Sequence, residues 1–321
     1  MEEVGCLLCG NRQHQVRYRG RDYLCGVPGE FTIVECVSCG FHYLTPRPDQ
    51  TEIGRFYPDD YDAYTSWDKE ESAALRAARA DDIARRAGVI ERYASPGDLL
   101  DVGCASGDFL AAMRDRGDWR VRGLEPSATA VARARASYGL TVDEGSLESA
   151  CYEPGSFDVI TMWEVLEHVP QPRETLRRVY ELLRPGGTLV MSMPCRDALD
   201  ARIFGTYWIG LDVPRHFSIF SHHDIRRALL DAGFTRPDIF TTRGRLGGAH
   251  TEFLCVMLSL SFWLQGGENA RPLRRAGSSA LQRLVGHQAG VIPLFLLTLP
   301  YSRLTRALNR ATAMTVVARR A

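Results

Sequence analysis

Lysine is nearly missing from this chain: Lys69 is the only one among 321 residues, a matter of coding bias rather than of chemistry. Net charge is missing too. Thirty-nine basic side chains meet 39 acidic ones, so no global field gathers polyanions. No apolar run reaches the ~18 residues of a membrane-crossing helix. The N-terminus, MEEVGCLLCG, has neither the basic region nor the apolar core of a signal peptide. Cysteine, with nine residues, is too sparse for a disulfide framework at this length. Four of the nine stand in two C-x-x-C pairs, which suggests metal binding in a reducing compartment, so a cytoplasmic location is expected. Apolar content of 45% and charged content of 24% are ordinary for a soluble globular protein. The length suits one large domain with an accessory piece.

What is present centres on Leu99–Leu110. An apolar run, LLDV, meets a small-residue turn, GCASG, and passes into an amphipathic pattern, DFLAAMRDRG. The run reads as a buried strand. Gly103 and Gly107 bracket a turn where a missing Cβ lets the backbone approach a ligand at the positive end of a helix. A second apolar strand, Val121–Leu124, ends in Glu125, 24 positions past Asp101, where a carboxylate can accept two hydrogen bonds from a ribose diol. The turn is G-x-x-x-G rather than the G-x-G-x-x-G of a dinucleotide fingerprint, too tight for a pyrophosphate. Further on, Phe157–Trp163 is a strand buried on both faces that opens into WEVLEHV, and Arg184-Pro185-Gly186-Gly187 turns into another strand, Thr188–Met193.

These three stretches, in this order, resemble the motifs of the class I S-adenosylmethionine (SAM) methyltransferases. The resemblance implies an α/β, Rossmann-like, seven-stranded and mostly parallel sheet with helices on both faces. It implies SAM as cofactor, with Gly103, Cys104, Ala105 and Gly107 against its methionine part, and Asp101 holding the turn or the amino group. Glu125 would take the ribose hydroxyls, with Pro126 beside it. Many relatives carry aspartate where Ser146 stands, so adenine would be read through the backbone of Ser146 and Leu147. Trp163 would lie against adenine or the sulfonium. Ligands gather beyond the carboxyl ends of strands in such sheets, which makes Glu164 and His168 candidates. On a helical turn they share a face at i, i+4, and a carboxylate beside an imidazole suits a general base. His168 as scaffold of the pocket is the alternative. His216 is the second candidate base, with loop ordering as its alternative. It lies on a long connection, Cys195–Ser221, that reads as functional or a lid and offers Tyr207, Trp208, Arg215 and His216 to an acceptor.

Cys6, Cys9, Cys36 and Cys39 form two C-x-x-C-G knuckles 26 residues apart. Four thiolates close a tetrahedral shell around zinc, and this leaves no open position for chemistry. A zinc ribbon of ~40 residues has too little core to stand without its metal. Cys25 and His42 are left out of the ligand set. The ribbon has no basic cluster for phosphates, which argues against nucleic acid. The knuckles followed by Pro46-Arg47-Pro48 and the aromatic run Phe56–Tyr64 resemble a bacterial subgroup of SAM methyltransferases, many acting on sugars, lipids or small metabolites. Lys69–Tyr93 reads as a helix, with Leu75, Ile83, Ala87 and Ile90 apolar, that would roof the cofactor site.

The final two strands, Pro237–Leu246 and Thr315–Arg319, pair as an antiparallel hairpin in the resembling fold, yet about 70 residues separate them here. The insert holds apolar blocks at 253–264 and 291–299. From Phe253 onward nine arginines face one acid, Glu268. Short apolar helices flanked by cations fit a segment lying in an anionic membrane interface, at the inner face of the membrane. They fit equally two core helices packed on each other or on a second copy of the chain. The expected organisation is a zinc ribbon at 1–48, an aromatic loop and connecting helix at 49–95, the SAM-binding core at 96–252, the helical insert at 253–310 and a last core strand at 311–321. The expected function is SAM-dependent methyl transfer to a small molecule, a sugar or a lipid-linked saccharide. Two alternatives stand beside it: a SAM-binding and zinc-ribbon interaction module without turnover, and an RNA methyltransferase.

Overall fold

The computed structural model describes residues 1–57, 73–241, 249–264 and 299–321. The aromatic run beyond Tyr57, Lys69, the arginines between 271 and 283, and residues 291–298 of the second apolar block lie outside the described residues. In chain order the strands are β1 (His14–Gly20), β2 (Phe31–Cys36), β3 (His42–Leu44), β4 (Asp98–Val102), β5 (Arg120–Glu125), β6 (Val142–Glu144), β7 (Phe157–Trp163), β8 (Leu183–Pro194), β9 (Ser218–Ile219), β10 (Thr235–Phe240) and β11 (Ala313–Arg319). The helices are α1 (Ala73–Tyr93), α2 (Asp108–Arg114), α3 (Ala128–Tyr138), α4 (Pro172–Leu182), α5 (Leu199–Phe204), α6 (His222–Asp231) and α7 (Ala249–Leu264), with α8 over 299–307. The chain divides into two compact units, each discontinuous in sequence, unlike the contiguous segments expected. One comprises Met1–Pro58, Pro194–His222 and Leu246–Met314; the other comprises Asp59–Met193, His223–Arg245 and Thr315–Ala321.

The second unit is built on the seven-stranded sheet expected, ordered β10-β11-β8-β7-β4-β5-β6. The five strands from β6 to β8 run parallel, and β10 pairs with β11 antiparallel. The apolar runs LLDV and FDVITMW occupy the two central strands, where both faces are covered and alternation is not needed. Leu99, Val159 and Val190 are buried with Ala87 and Ile90 of α1 and Phe109 and Leu110 of α2. Ser127 caps α3 by accepting the Ala130 amide at 3.3 Å, and Gly139, with φ of 61°, ends it.

The first unit carries the four-stranded sheet β1-β2-β3-β9. Glu35, His42 and Ile219 stand side by side across β2, β3 and β9. The connection expected as a lid therefore supplies a strand of the cysteine-bearing sheet and covers its face. Ala198, Ala201, Trp208 and Leu211 are buried in one cluster with Phe31, Ile33, Leu44 and Ile219. The first apolar block forms α7, where Phe262 stacks on Tyr23 at 5.1 Å between ring centroids and the Ser259 hydroxyl accepts the Ile209 amide at 3.0 Å. Of the two readings of this block, packing in a core is the one seen for Phe262 and Ser259, while Trp263 and Leu264 are exposed. Among the described residues no helix is long and apolar enough to cross a membrane.

Candidate active site

Strand order reverses between β4 and β7: from β4 the chain builds outward through β5 and β6, then crosses to β7 on the other side. In an open α/β sheet the carboxyl ends of these two strands flank a crevice that takes ligands. Backbone strain collects at both ends. After β4, Gly103, Ala105 and Gly107 have φ of 71°, 46° and 83°; after β7, Glu164 has φ of 55°. Two non-glycine residues in the left-handed region, one on each side of a crevice, mark a constrained site.

The glycines serve this turn differently from the sequence expectation. A Cβ at Gly103 would lie 2.6 Å from Val165, and one at Gly107 would lie 2.6 Å from Leu140 and 3.0 Å from Ala134. Their missing side chains make room for the protein's own packing, not for a ligand. Cys104 likewise turns inward: a Cβ on Gly123 would meet its sulfur at 2.6 Å, and burial pushes its thiol up from the usual range. The turn amides are committed as well. Gly103 and Cys104 donate to the Leu124 carbonyl at 2.7 and 3.3 Å, and Gly107 donates to the Cys104 carbonyl at 2.9 Å.

Glu125 holds this loop. Its carboxylate is buried and accepts the Ala105 amide at 3.0 Å and, on the other oxygen, the Ser127 amide at 2.9 Å. It thus ties the turn after β4 to the start of α3, and burial raises its pKa. Each carboxylate oxygen retains a second lone pair for a further donor. Asp101 is enclosed at the end of β4, where the Thr161 hydroxyl donates to it at 2.6 Å. Burial pushes its pKa up to about 7, with Thr161 and Arg86 pulling the other way and Glu125 adding to the rise.

The far wall is Trp163, buried at the end of β7. Phe109 meets its ring edge-on at 5.4 Å, and the Arg86 guanidinium lies over it at 5.1 Å. Its Nε1 is buried and has no hydrogen-bond partner among the described residues. Arg86 and Asp82, an ion pair at 2.7 Å, bring α1 to the site as the helical pattern suggested. Burial pushes the Asp82 carboxyl up, but Arg86 and Arg85 outweigh it and hold the carboxyl below its ordinary range. Neither Arg86 nor Thr161 was singled out in the sequence. The signals were an acid and a base at i, i+4 flanking Ile83 and Ala87, and one hydroxyl inside FDVITMW.

Leu166–His168 forms a single 3-10 turn, so the α-helical i, i+4 relation expected between Glu164 and His168 does not form. Glu164 stands before the turn, exposed, and accepts the Ser192 hydroxyl at 2.6 Å. His168 is half-buried on the turn and donates its amide to the Val165 carbonyl at 3.0 Å. Glu167 beside it is buried. Pro126 follows Glu125 at the head of α3. The Ser146 amide, expected toward adenine, donates to the Ser149 hydroxyl at 3.0 Å, and the Leu147 side chain is buried.

The other candidates belong to the first unit. Arg215, expected to face an acceptor, is fully buried: it donates to Asp22 at 2.7 and 3.1 Å, to Asp212 at 2.6 and 3.0 Å and to the Phe56 carbonyl at 3.1 Å. Trp208 is buried with its Nε1 donating to Asp200 at 2.9 Å. His216 is buried and its Nδ1 donates to the Gly210 carbonyl at 2.9 Å. The sulfurs of Cys6, Cys9, Cys36 and Cys39 all lie within 4.8 Å of one another. Cys6 is 3.5 Å from Cys39, and Cys9 is 3.5 Å from Cys36. A tetrahedron with zinc–sulfur bonds of about 2.3 Å has edges of roughly 3.8 Å, so the cluster fits that ion.

A family model described as a methyltransferase domain matches residues 72–236. A ubiquinone biosynthesis O-methyltransferase from Pseudomonas paraeruginosa is 31% identical over 201 residues, covering 59% of this chain and 78% of the relative. One of the same name from Saccharophagus degradans is 34% identical over 221 residues, covering 65% and 85%. The crystal structure of the [4+2]-cyclase SpnF superposes with a TM-score of 0.51 at 18% identity, covering 85% of this chain and 97% of that one; this likeness is one of fold.

Proposed function

The chain belongs to the methyltransferase-domain family and is a SAM-dependent methyltransferase acting on a small molecule, and we propose that its acceptor is a hydroxyl oxygen activated at His168. The reading rests on one observation above others: a buried carboxyl, Asp101, and an unpartnered indole nitrogen, Trp163 Nε1, sit at the switch point beneath a guanidinium, Arg86. That set fits SAM group by group. Asp101 would meet its ammonium and Arg86 its carboxylate. The remaining lone pairs of Glu125 would take the ribose hydroxyls, while Trp163 would border the adenosyl or sulfonium region. SAM supplies a methyl group made electrophilic by the sulfonium.

What remains for the protein is alignment of the acceptor and removal of its proton. His168, half-buried on the turn that follows β7, is the base in this reading. His216, whose Nδ1 is bonded to a loop carbonyl, orders its loop. The O-methyltransferase activity for which the relatives are named supports an oxygen acceptor. A sugar or lipid-linked saccharide remains the narrower form of the proposal. Zinc in the cysteine cluster is structural, since four thiolates leave it no open position.

The test is calorimetry with SAM, followed by turnover of the cofactor against catechols, other phenols, nucleotide sugars, polyprenyl-linked sugars and RNA. Binding and turnover of a hydroxylated small molecule are expected. His168→Gln should keep SAM affinity and lose about 10²–10⁴-fold in kcat, the usual contribution of a positioned base. Turnover of RNA alone, or full activity in His168→Gln, refutes the reading.

A further inference from the structure

The first unit contains a cavity of about 200 Å³ that plays no part in the methyl-transfer reading. One wall is the face of the four-stranded sheet, which contributes Arg17, Glu35 and His42; the other is the segment carrying Arg196, Asp197 and Arg202. Trp208, Leu211 and Ile219 also line it. Sheet faces of this kind bury apolar residues, and here the apolar row gives way to charge at one edge.

The charges do not cancel. Asp197 is already engaged, accepting the His222 amide and ring Nδ1 at 3.0 Å each. Glu35 stands 3.6 Å from both Arg17 Nε and His42 Nε2, beyond good hydrogen-bond distance. The Arg17 and Arg202 side chains make no hydrogen bond among the described residues, and the Arg202 guanidinium has no ion pair there. Arg196 also lines the cavity and donates to the Ser221 hydroxyl at 3.4 Å; the Arg17 and Arg202 guanidiniums thus face the cavity without hydrogen bonds of their own, against two carboxylates, one of them spent. His42 is 5% exposed, and its Nδ1 has no hydrogen-bond partner among the described residues. Burial, helped by Arg196 and Arg17, pushes this imidazole's pKa down to about 3. A neutral ring buried with one nitrogen unsatisfied costs free energy unless something meets it. Guanidiniums are suited to forked contacts with carboxylate and phosphate oxygens.

We propose that this cavity is a binding site for a small anionic ligand, one that presents a phosphate or carboxylate group to Arg17, Arg196 and Arg202 beside His42. The site lies within one unit and is independent of the cofactor reading.

The full chain is titrated with inorganic phosphate, pyrophosphate and citrate by calorimetry at constant ionic strength. Saturable one-site binding of at least one probe is expected, and preference between phosphates and citrate identifies the group recognised. The double variant Arg17→Gln/Arg202→Gln, whose two side chains are exposed and whose folding is checked by circular dichroism, should bind that probe at least tenfold more weakly and SAM unchanged. Arg177→Gln, an exposed arginine of α4, is the control and should bind as wild type. In the wild type the His42 ring resonances should shift on saturation. No saturable binding of any probe, binding that survives the double variant, or equal loss in the control overturns the proposal.

Discussion

Replacing Asp101 by Asn isolates the electrostatics of the switch point. The carboxyl is enclosed at the end of β4, and burial pushes its pKa up to about 7 from an ordinary 3.8. A displacement of about three units corresponds to roughly 4 kcal/mol. The sign follows from proton counting. Between about pH 4 and pH 7 the unfolded chain has lost this proton while the folded chain keeps it. Stability therefore falls as pH rises, by roughly 1.4 kcal/mol per unit, and levels off once the folded carboxyl has ionised above about pH 7. Asp101→Asn has no such slope, and other titrating groups largely cancel in the comparison. The variant should gain on the wild type across pH 5–8 by at most about 2.6 kcal/mol, the two pH units between pH 5 and the folded pKa, and by somewhat less where the buried carboxyl recovers part of its solvation through relaxation.

Urea unfolding of both proteins at pH 5, 6, 7 and 8 without added SAM measures this difference. A second measurement ties it to function. An ammonium placed beside Asp101 lowers its pKa, so SAM binding at pH 6.5 should release a proton from the wild type and none from Asp101→Asn. Calorimetry in buffers of different ionisation enthalpy reads that proton directly. Unfolding profiles that run parallel within about 0.5 kcal/mol would refute the claim that this carboxyl is held out of water. A buffer-independent binding heat in the wild type would refute its role toward the ammonium.

Three further outcomes follow. Arg86→Leu should weaken SAM about 10–100-fold, the loss of a charge-assisted contact of ~1.5–3 kcal/mol, while Arg85→Leu, which also pairs with Asp82, should not; equal effects from both would dismiss a direct contact. The wild-type chain purified under reducing conditions should hold one zinc by elemental analysis and Cys36→Ser markedly less, and a metal-free wild type would remove zinc from the account. Arg215→Met should cost about 3–5 kcal/mol in urea unfolding, because it strands Asp22 and Asp212 in the interior; a loss under about 1 kcal/mol would mean the two acids find other partners.

The sheet was legible because its signals are local. LLDV and FDVITMW are continuous apolar runs, and only strands covered on both faces need them. Ser127 and Gly139 mark the ends of α3 by cap chemistry that acts within a few residues. The glycine turn was located correctly and explained incompletely. Its spacing says where the chain must bend, but whether Val165 or a ligand fills the space at Gly103 depends on a loop 62 positions away. Glu125 shows the same limit: an acid at a strand end can grip a ribose, and only folding shows that it first grips Ala105 and Ser127.

In the segment from Cys195 to Ser221, polarity looks like chemistry until burial is known. Arg215 and Trp208 are residue types that bind ligands, yet Arg215 is spent on Asp22, 193 positions away, and Trp208 on Asp200. No pattern of spacing announces partners at such range. The better discriminator is what the fold leaves unanswered. A buried polar atom costs about 1–3 kcal/mol when it goes without a partner, so such an atom persists where something other than the surrounding protein meets it. Two ring nitrogens meet that description among the described residues, Trp163 Nε1 and His42 Nδ1. Each stands beside arginine and an aromatic or apolar surface, one at the switch point of the parallel sheet and the other in the cavity of the cysteine-bearing unit. If unmet nitrogens mark ligand sites, Trp163→Phe and His42→Phe should each raise thermal stability in the absence of ligand and abolish the gain that SAM or an anion, respectively, gives the wild type. Loss of stability from both substitutions would break the link between an unmet nitrogen and a bound molecule.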